Sequence, residues 1–258
     1  MVKKLLNTNS GNTKIKKTEK AAAVQFAEWL QQSTGIKKPV RMAELSLYPD
    51  SILCPYSTIA DCLKGCLKSA GRGRFDNVKK ARQAKTEYWH SNRAAFLQQL
   101  TAELCRFDKL CKNTGKQGVI RLNVISDIPW EKYGIPQKFP DLFFYDYTKN
   151  SSRLGKTPDN YKLIFSYSGA RQYQKYLAKV PENTPLAVVF KGQLPQFFNG
   201  KPVIDGDKSD LVNAFAENKI VGLLAKGAAK KDQGNFTIDN RAGNISINQV
   251  FNPLAVGV

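Results

Sequence analysis

Val119-Ile120-Arg121-Leu122-Asn123-Val124-Ile125, followed at once by Ser126-Asp127-Ile128-Pro129-Trp130, decides the fold. A run dominated by Val, Ile and Leu, with Gly118 before it and a polar, proline-containing turn after it, describes a strand covered on both faces. Four more runs have that form: Leu142–Tyr147, Tyr161–Ser166, Leu186–Phe190 and Ile220–Ala225. The segments between them are long enough for crossovers between parallel strands. Glu44–Tyr48 adds a strand upstream, stopped by Pro49-Asp50, and Pro202–Ile204 is a candidate extra. The expected fold is α/β: a single domain shaped as an incomplete parallel barrel of the (β/α)6 type.

Around that barrel-like region, residues 41–235, the expected organisation is a basic N-terminal extension over 1–40 and a tail over 236–258. The extension begins with a Lys-rich, extended segment and includes a short amphipathic helix at Ala21–Gln32, with Val24, Phe26, Ala27 and Leu30 as its apolar positions. No internal repeat is present. A chain of 258 residues, 42% of them hydrophobic, can bury a full core. With no apolar run of membrane length and no signal-like start, a membrane role is excluded and a cytoplasmic protein is expected.

The formal net charge of +19 is unevenly placed. Residues 1–41 carry nine Lys/Arg against two acids and residues 62–121 fourteen against four, so those two stretches supply +17. Clustered positive charge is the electrostatic footprint of a nucleic-acid or nucleotide partner. A soluble basic protein with a solvated cationic face is the plain alternative.

Cys54, Cys62 and Cys66 fall within thirteen residues, just before Gly71-Arg72-Gly73-Arg74. In a reducing compartment, clustered cysteines point to metal or redox chemistry rather than disulfides. Three thiolates suit an iron–sulfur cluster with one open iron; structural zinc normally takes four ligands, here with His90, Cys105 or Cys111 as the fourth. Free thiols beneath a loop are the remaining reading. Cys105 and Cys111 diverge on a helix and are expected to pack, and the lone His90 rules out a two-His site.

From Asp76 to about Lys112 the pattern is helical. Tyr88, Phe96, Leu100, Leu104, Phe107 and Cys111 share one face, while Lys79, Arg82, Trp89 and Arg93 fall near another. The second face, with Arg72 and Arg74 before it, mixes cations with an indole, as phosphate contact and base stacking require.

Polar residues gather just past each apolar run: Asn123 and Ser126-Asp127, then Tyr145-Asp146-Tyr147-Thr148-Lys149, then Ser166-Tyr167-Ser168. In a parallel sheet the carboxyl ends of the strands open on one side, so these residues converge with the cysteine loop at one mouth. Asp127, Asp146 and Lys149 are the candidate catalytic groups, and Asn123, Ser126, Tyr145 and Ser166 the candidate cofactor-binding ones. Asp127 and Asp146 can equally be strand-end turn residues. Asp205-Gly206-Asp207 is either a metal-binding turn or a hairpin, and Lys226 through Lys231 either a phosphate grip or a solvated turn.

Several motifs in one order closely resemble a phage family, that of gene product eighty-eight. They are Cys54-Pro55, Cys62-x-x-x-Cys66-Leu67, Ala70-Gly71-Arg72-Gly73, Ser126-Asp127-Ile128-Pro129-Trp130 and Phe144-Tyr145-Asp146-Tyr147-Thr148-Lys149. Val203-Ile204-Asp205-Gly206-Asp207 and Ala225-Lys226-Gly227 continue the likeness, and Asn9-Ser10 with Thr13-Lys14 looks like the family's opening motif. The resemblance spans about residues 40–235 and implies a phage origin. More distantly, the chain is similar to radical S-adenosylmethionine enzymes in having a three-cysteine loop directly after the first strand of a partial barrel. Seven and three residues separate its cysteines, where those enzymes have three and two. That likeness implies a 4Fe–4S cluster and S-adenosylmethionine, acting on a nucleotide or nucleic-acid substrate. The alternatives are a non-catalytic nucleic-acid-binding protein with zinc in its cysteine loop, and a factor that binds a host protein.

Overall fold

A computed structural model of the chain describes residues 2–8, 19, 24–233 and 235–241. Nine strands form one mostly parallel sheet: β1 (Val40–Glu44), β2 (Gln117–Arg121), β3 (Phe143–Thr148), β4 (Tyr161–Ser166), β5 (Leu186–Gly192), β6 (Phe197–Phe198), β7 (Lys201–Asp205), β8 (Ile220–Leu224) and β9 (Ile238–Asn240). Their order is β1-β2-β3-β4-β5-β8-β7-β6, and β9 pairs β5. Only the β6–β7 pair is antiparallel. Among the described residues five helices accompany them: α1 (Val24–Thr34), α2 (Asp76–Ser91), α3 (Arg93–Asn113), α4 (Gln174–Leu177) and α5 (Asp210–Asn213).

The parallel α/β expectation holds, and the sheet is not closed: among the described residues β1 pairs only β2 and isolated Asn7, leaving the ends of the order unjoined. The first strand lies earlier than expected, at Val40–Glu44, because Val40 and Met42 supply the buried alternation on one face and Ala43 on the other. The candidate strand at Pro202–Ile204 is the centre of β7. Residues 238–240, expected in the tail, complete the sheet as β9. Residues 2–8 are packed against the domain. Leu5 and Leu6 are buried in the core, and Asn7 exchanges backbone hydrogen bonds with Glu44 at 2.8 and 3.0 Å. Asn9-Ser10, Thr13-Lys14 and the side chains of Val24, Phe26 and Ala27 lie outside the described residues.

Alternation along the strands builds two cores. On one face Ala43, Ile120, Phe144, Tyr161 and Leu163 meet Phe96, Leu100, Leu104 and Phe107 of α3. On the other, Val40, Met42, Val119, Tyr145, Ile164 and Val221 meet Leu30 of α1 and Leu211 and Val212 of α5. The long helical stretch divides at Asn92, whose φ of −150° interrupts α-helix and whose side chain accepts from the Ala95 N–H at 3.0 Å. An Asn N-cap at that point starts α3 afresh. No described helix is long and apolar enough to cross a membrane.

Leu100 is fully buried where α3 meets the sheet. Leu100→Ala is expected to lower unfolding free energy by about 2–5 kcal/mol, measured by chemical denaturation, through lost contacts and the cavity left behind.

Candidate functional site

The loop between β1 and α2 carries the three cysteines and lies over the carboxyl ends of the strands. Asp50 starts it by accepting from the Ile52 and Leu53 N–H groups, and the Asp50 carbonyl accepts from Cys54 at 2.9 Å. The Cys54 Sγ reaches the Ile125 carbonyl at 3.7 Å, past the end of β2. Further along, the Ala60 carbonyl accepts from Ser168 Oγ at 2.7 Å, past the end of β4. At Gly65 a Cβ would stand 2.9 Å from the Phe236 ring, and at Gly227, held at φ +54°, a Cβ would stand 3.1 Å from Ala70. The loop therefore touches the ends of strands on both sides of the sheet.

All three thiols are half-buried and unbridged. Burial pushes each of them up from the ordinary thiol value. Cys54 is raised further by Asp127, Cys66 and Cys62, and Cys62 by Cys66, so every pair lies within electrostatic reach. Lys149 works the other way on Cys62. Among the described residues, however, no three His, Cys, Asp or Glu side chains are gathered closely enough to hold a single metal ion.

Lys149 is held by neutral oxygens. Its ammonium donates to Ser166 Oγ at 3.0 Å and to the Ser166 and Tyr167 carbonyls at 3.2 Å, over the rings of Tyr173 and Phe236. Burial lowers its pKa, opposed by the nearby Cys62, Asp127 and Cys54. Asp127 is locked: Oδ1 accepts from Thr148 Oγ1 at 2.8 Å and Arg153 Nη1 at 2.7 Å, and Oδ2 from the Lys149 N–H at 2.8 Å. Its own N–H donates to the Leu53 carbonyl, tying the cysteine loop to this centre.

Asp146 belongs to a second, adjoining network. It accepts from the Asn123 N–H at 2.7 Å, Asn123 Nδ2 at 3.2 Å and Tyr161 OH at 2.7 Å. Asn123 Oδ1 in turn accepts from Ser126 Oγ and the Ile128 N–H, both at 2.9 Å, which fixes the Ser126–Ile128 turn. Arg153 joins the two networks: Nη2 donates to Tyr161 OH at 2.8 Å, and Nε and Nη2 hold Glu131 bidentately at 2.9 Å.

Asp127, Lys149 and Ser166 thus meet at the thiols, with Asn123, Ser126 and Asp146 beside them. Tyr145 points to the opposite face, towards Arg121 and Asp210, because neighbouring strand residues alternate. Of the expected nucleic-acid residues, Arg72, Arg74, Lys79 and Arg93 are exposed and Arg82 is half-buried. Trp89 is 2% exposed, edge-on to Phe96, Trp130 and Tyr133, so its ring is not offered to a base. Arg93 caps that indole at 4.9 Å, one full helix length from Arg72. Cys111 is buried as expected, but Cys105 is exposed. Lys226 pairs with Asp207 at 2.6 Å, absorbing both the Asp-Gly-Asp turn and the lysine in a surface contact.

Sequence reading misses Arg153, Glu131, Tyr161, Tyr173 and Phe236. Arg153 stands in a Ser-Ser-Arg-Leu turn that looks solvated, and nothing in its neighbours announces burial.

The fold and site define a mostly parallel α/β protein with a three-thiol loop laid over the carboxyl ends of its strands. A family model described as Gene product 88 matches residues 4–240. The chain belongs to that family, the phage family its motifs resemble. No curated protein and no solved structure matches it.

Burial lifts the Asp146 carboxyl from 3.8 to about 7, against the hydrogen bonds from Tyr161 and Asn123. Between those values the folded protein keeps a proton that the unfolded chain has released, so stability falls as pH rises through the window, by up to about 1.4 kcal/mol per pH unit. Asp146→Asn removes this titration. Its stability relative to wild type, from denaturation curves, is expected to improve steadily from about pH 4 to about pH 7. A difference that stays flat across that range would show that the carboxyl is ionised throughout.

Proposed function

We propose that this chain is an iron–sulfur enzyme of the radical type, acting on a nucleotide or nucleic-acid substrate from an incomplete (β/α)6-type barrel. The observation that carries this reading is the three-thiol loop above parallel strand ends, with its sulfurs in mutual electrostatic reach. The chemistry of the donor set fits as well. Three thiolates leave one iron of a 4Fe–4S cluster open, and two of the candidates for a fourth ligand, His90 and Cys111, are engaged elsewhere. His90 bonds Asp50 at 2.8 Å, and Cys111 packs at Gly118 on the amino side of β2.

Cys54, Cys62 and Cys66 would hold the cluster. When bound, such a cluster supplies a single electron to a molecule seated on its open iron, and S-adenosylmethionine fills that role in enzymes of this layout. Lys149 contributes a fixed positive charge that favours ionised thiolates at Cys62 and Cys54. Ser166 positions that ammonium, while Asn123 and Ser126 shape the turn that delivers Asp127. Asp146, with a carboxyl lifted to about 7, exchanges a proton near neutral pH, as a general acid or base must. Tyr145 stands apart from these groups, and a cofactor-binding role for it requires access from the opposite sheet face.

Protein purified anaerobically is expected to be brown, with broad visible absorbance and about four irons and four sulfides per chain. Cys54→Ala, Cys62→Ala and Cys66→Ala should each abolish the colour and most of the iron. Colourless protein with one zinc per chain would replace this reading with a structural zinc site. Metal-free protein that keeps full function after Cys62→Ala would remove both and leave a host-binding role.

A further inference from the structure

We infer that the outer surface of the cysteine loop is a binding surface for single-stranded nucleic acid, with Phe75 as the stacking residue. This deepens the substrate class proposed above and rests on that reading for its link to the thiols.

Three observations converge. First, exposed apolar side chains collect on this loop. Of the seven large hydrophobic residues most exposed among the described ones, Ile52, Leu63, Leu67 and Phe75 lie within it, at 67%, 38%, 47% and 48% exposure. Apolar exposure concentrated on one loop favours an interaction surface there. Second, charge complements it. Residues 63–82 contain seven Lys/Arg and one acid, Asp76. Arg72, Arg74, Lys79 and Lys80 are exposed, and none of them has an ion-pair partner among the described residues. Cations without carboxylates to answer them attract phosphate.

Third, the backbone fixes how these groups are presented. Gly71 sits at φ +52°, and a Cβ at Gly73 would stand 2.7 Å from the Lys68 carbonyl and 2.9 Å from Arg82 Nη1. Only glycine lets the turn close that tightly, and the closed turn leaves Arg72 and Arg74 outside. Arg74 lies over the Phe75 ring at 5.4 Å, and Phe75 opens α2. An exposed ring with a guanidinium beside it offers a base a stacking partner and its phosphates counter-charge at once.

A duplex hides its base faces, so an exposed ring favours unpaired strands. An anionic bilayer suits the surface less well, because membrane-lying segments separate an apolar face from a charged one. Here cations and apolar side chains alternate along the loop.

The test is fluorescence anisotropy of the full-length protein with a short labelled oligothymidylate, its uridylate counterpart and a duplex of equal length, over a series of salt concentrations. Both single strands are expected to bind more tightly than the duplex. Phe75→Ala should weaken single-strand binding about tenfold and leave duplex binding unchanged. Arg72→Ala with Arg74→Ala should make the log–log salt slope shallower by about 1.4. Lys116→Ala with Lys138→Ala, which removes two exposed charges at the other end of the strands, should change neither. Equal losses from the two double variants, unchanged affinity for Phe75→Ala, or tighter binding to anionic vesicles than to oligothymidylate would each overturn the inference. Folding of each variant is checked by thermal denaturation, and Phe75→Tyr, which keeps the ring, should retain wild-type affinity. Iron and sulfide are assayed in the same preparations. Binding without iron sinks only the cluster reading, and iron without binding sinks only this one.

Discussion

A guanidinium sealed from water between two carboxylates and a phenol holds the carboxyl end of this sheet together. Arg153, with 1% of its side chain exposed, is held by Asp127, Glu131 and Tyr161, which come from the loop after β2 and from the start of β4. Taking one partner from such a buried set leaves an uncompensated charge and costs about 3–5 kcal/mol. Its reach extends well past its own contacts. Asp127 positions the backbone of Lys149 and the cysteine loop at Leu53, and Tyr161 carries the connection to Asp146 and Asn123. The mouth keeps its shape because one cation has to be satisfied there. The thiols and Lys149 can be presented in a polar, half-closed space without the loops collapsing onto one another.

How much of this was legible depended on where the signal came from. Strands covered on both faces spell themselves as near-continuous apolar runs, so Tyr161–Ser166 is found to the residue and its neighbours to within a few. β1 is mixed, Val-Arg-Met-Ala-Glu, and the more apolar stretch after it reads as the strand instead. The break at Asn92 follows from a cap residue lying between two well-formed helical patterns, which periodicity alone reads through. At the strand ends, residue types show which polar groups gather but not which way they face. Tyr145 and Asp146 are adjacent in sequence and sit on opposite sides of the sheet. Arg153 left no trace, because burial of a charge is decided by partners distant in sequence.

The aromatic side chains illustrate the same point through packing. Trp89 and Phe75 flank the same helix, and on composition the indole is the more persuasive base-stacking candidate. Burial reverses the choice. Trp89 is drawn into a four-ring cluster with Phe96, Trp130 and Tyr133, where its large apolar area is worth more than at the surface. Phe75, the residue just before α2, stays half-exposed with Arg74 over its ring. The exposed ring of the basic stretch 63–82 therefore lies at the loop end of α2.

The cysteine loop also explains how motifs far apart in sequence come to define one place. β1 and β8 are separated in the sheet by β2, β3, β4 and β5, yet Ala70 on the loop after β1 packs on Gly227 on the loop after β8. On the way the chain passes Ile125 beyond β2, Ser168 beyond β4 and Phe236 just before β9. A segment that contacts each of these must run across the whole mouth. The path also requires small residues at its crossings, since a side chain at Gly65 would meet the Phe236 ring and one at Gly227 would meet Ala70. Ala70 of Ala70-Gly71-Arg72-Gly73 and Gly227 of Ala225-Lys226-Gly227 are therefore two halves of one contact. Because the loop is pinned from the end of β2 to the end of β8, its inner side faces the strand ends and Lys149, with the thiols half-buried, while Arg72, Arg74 and Phe75 are exposed on its outer side.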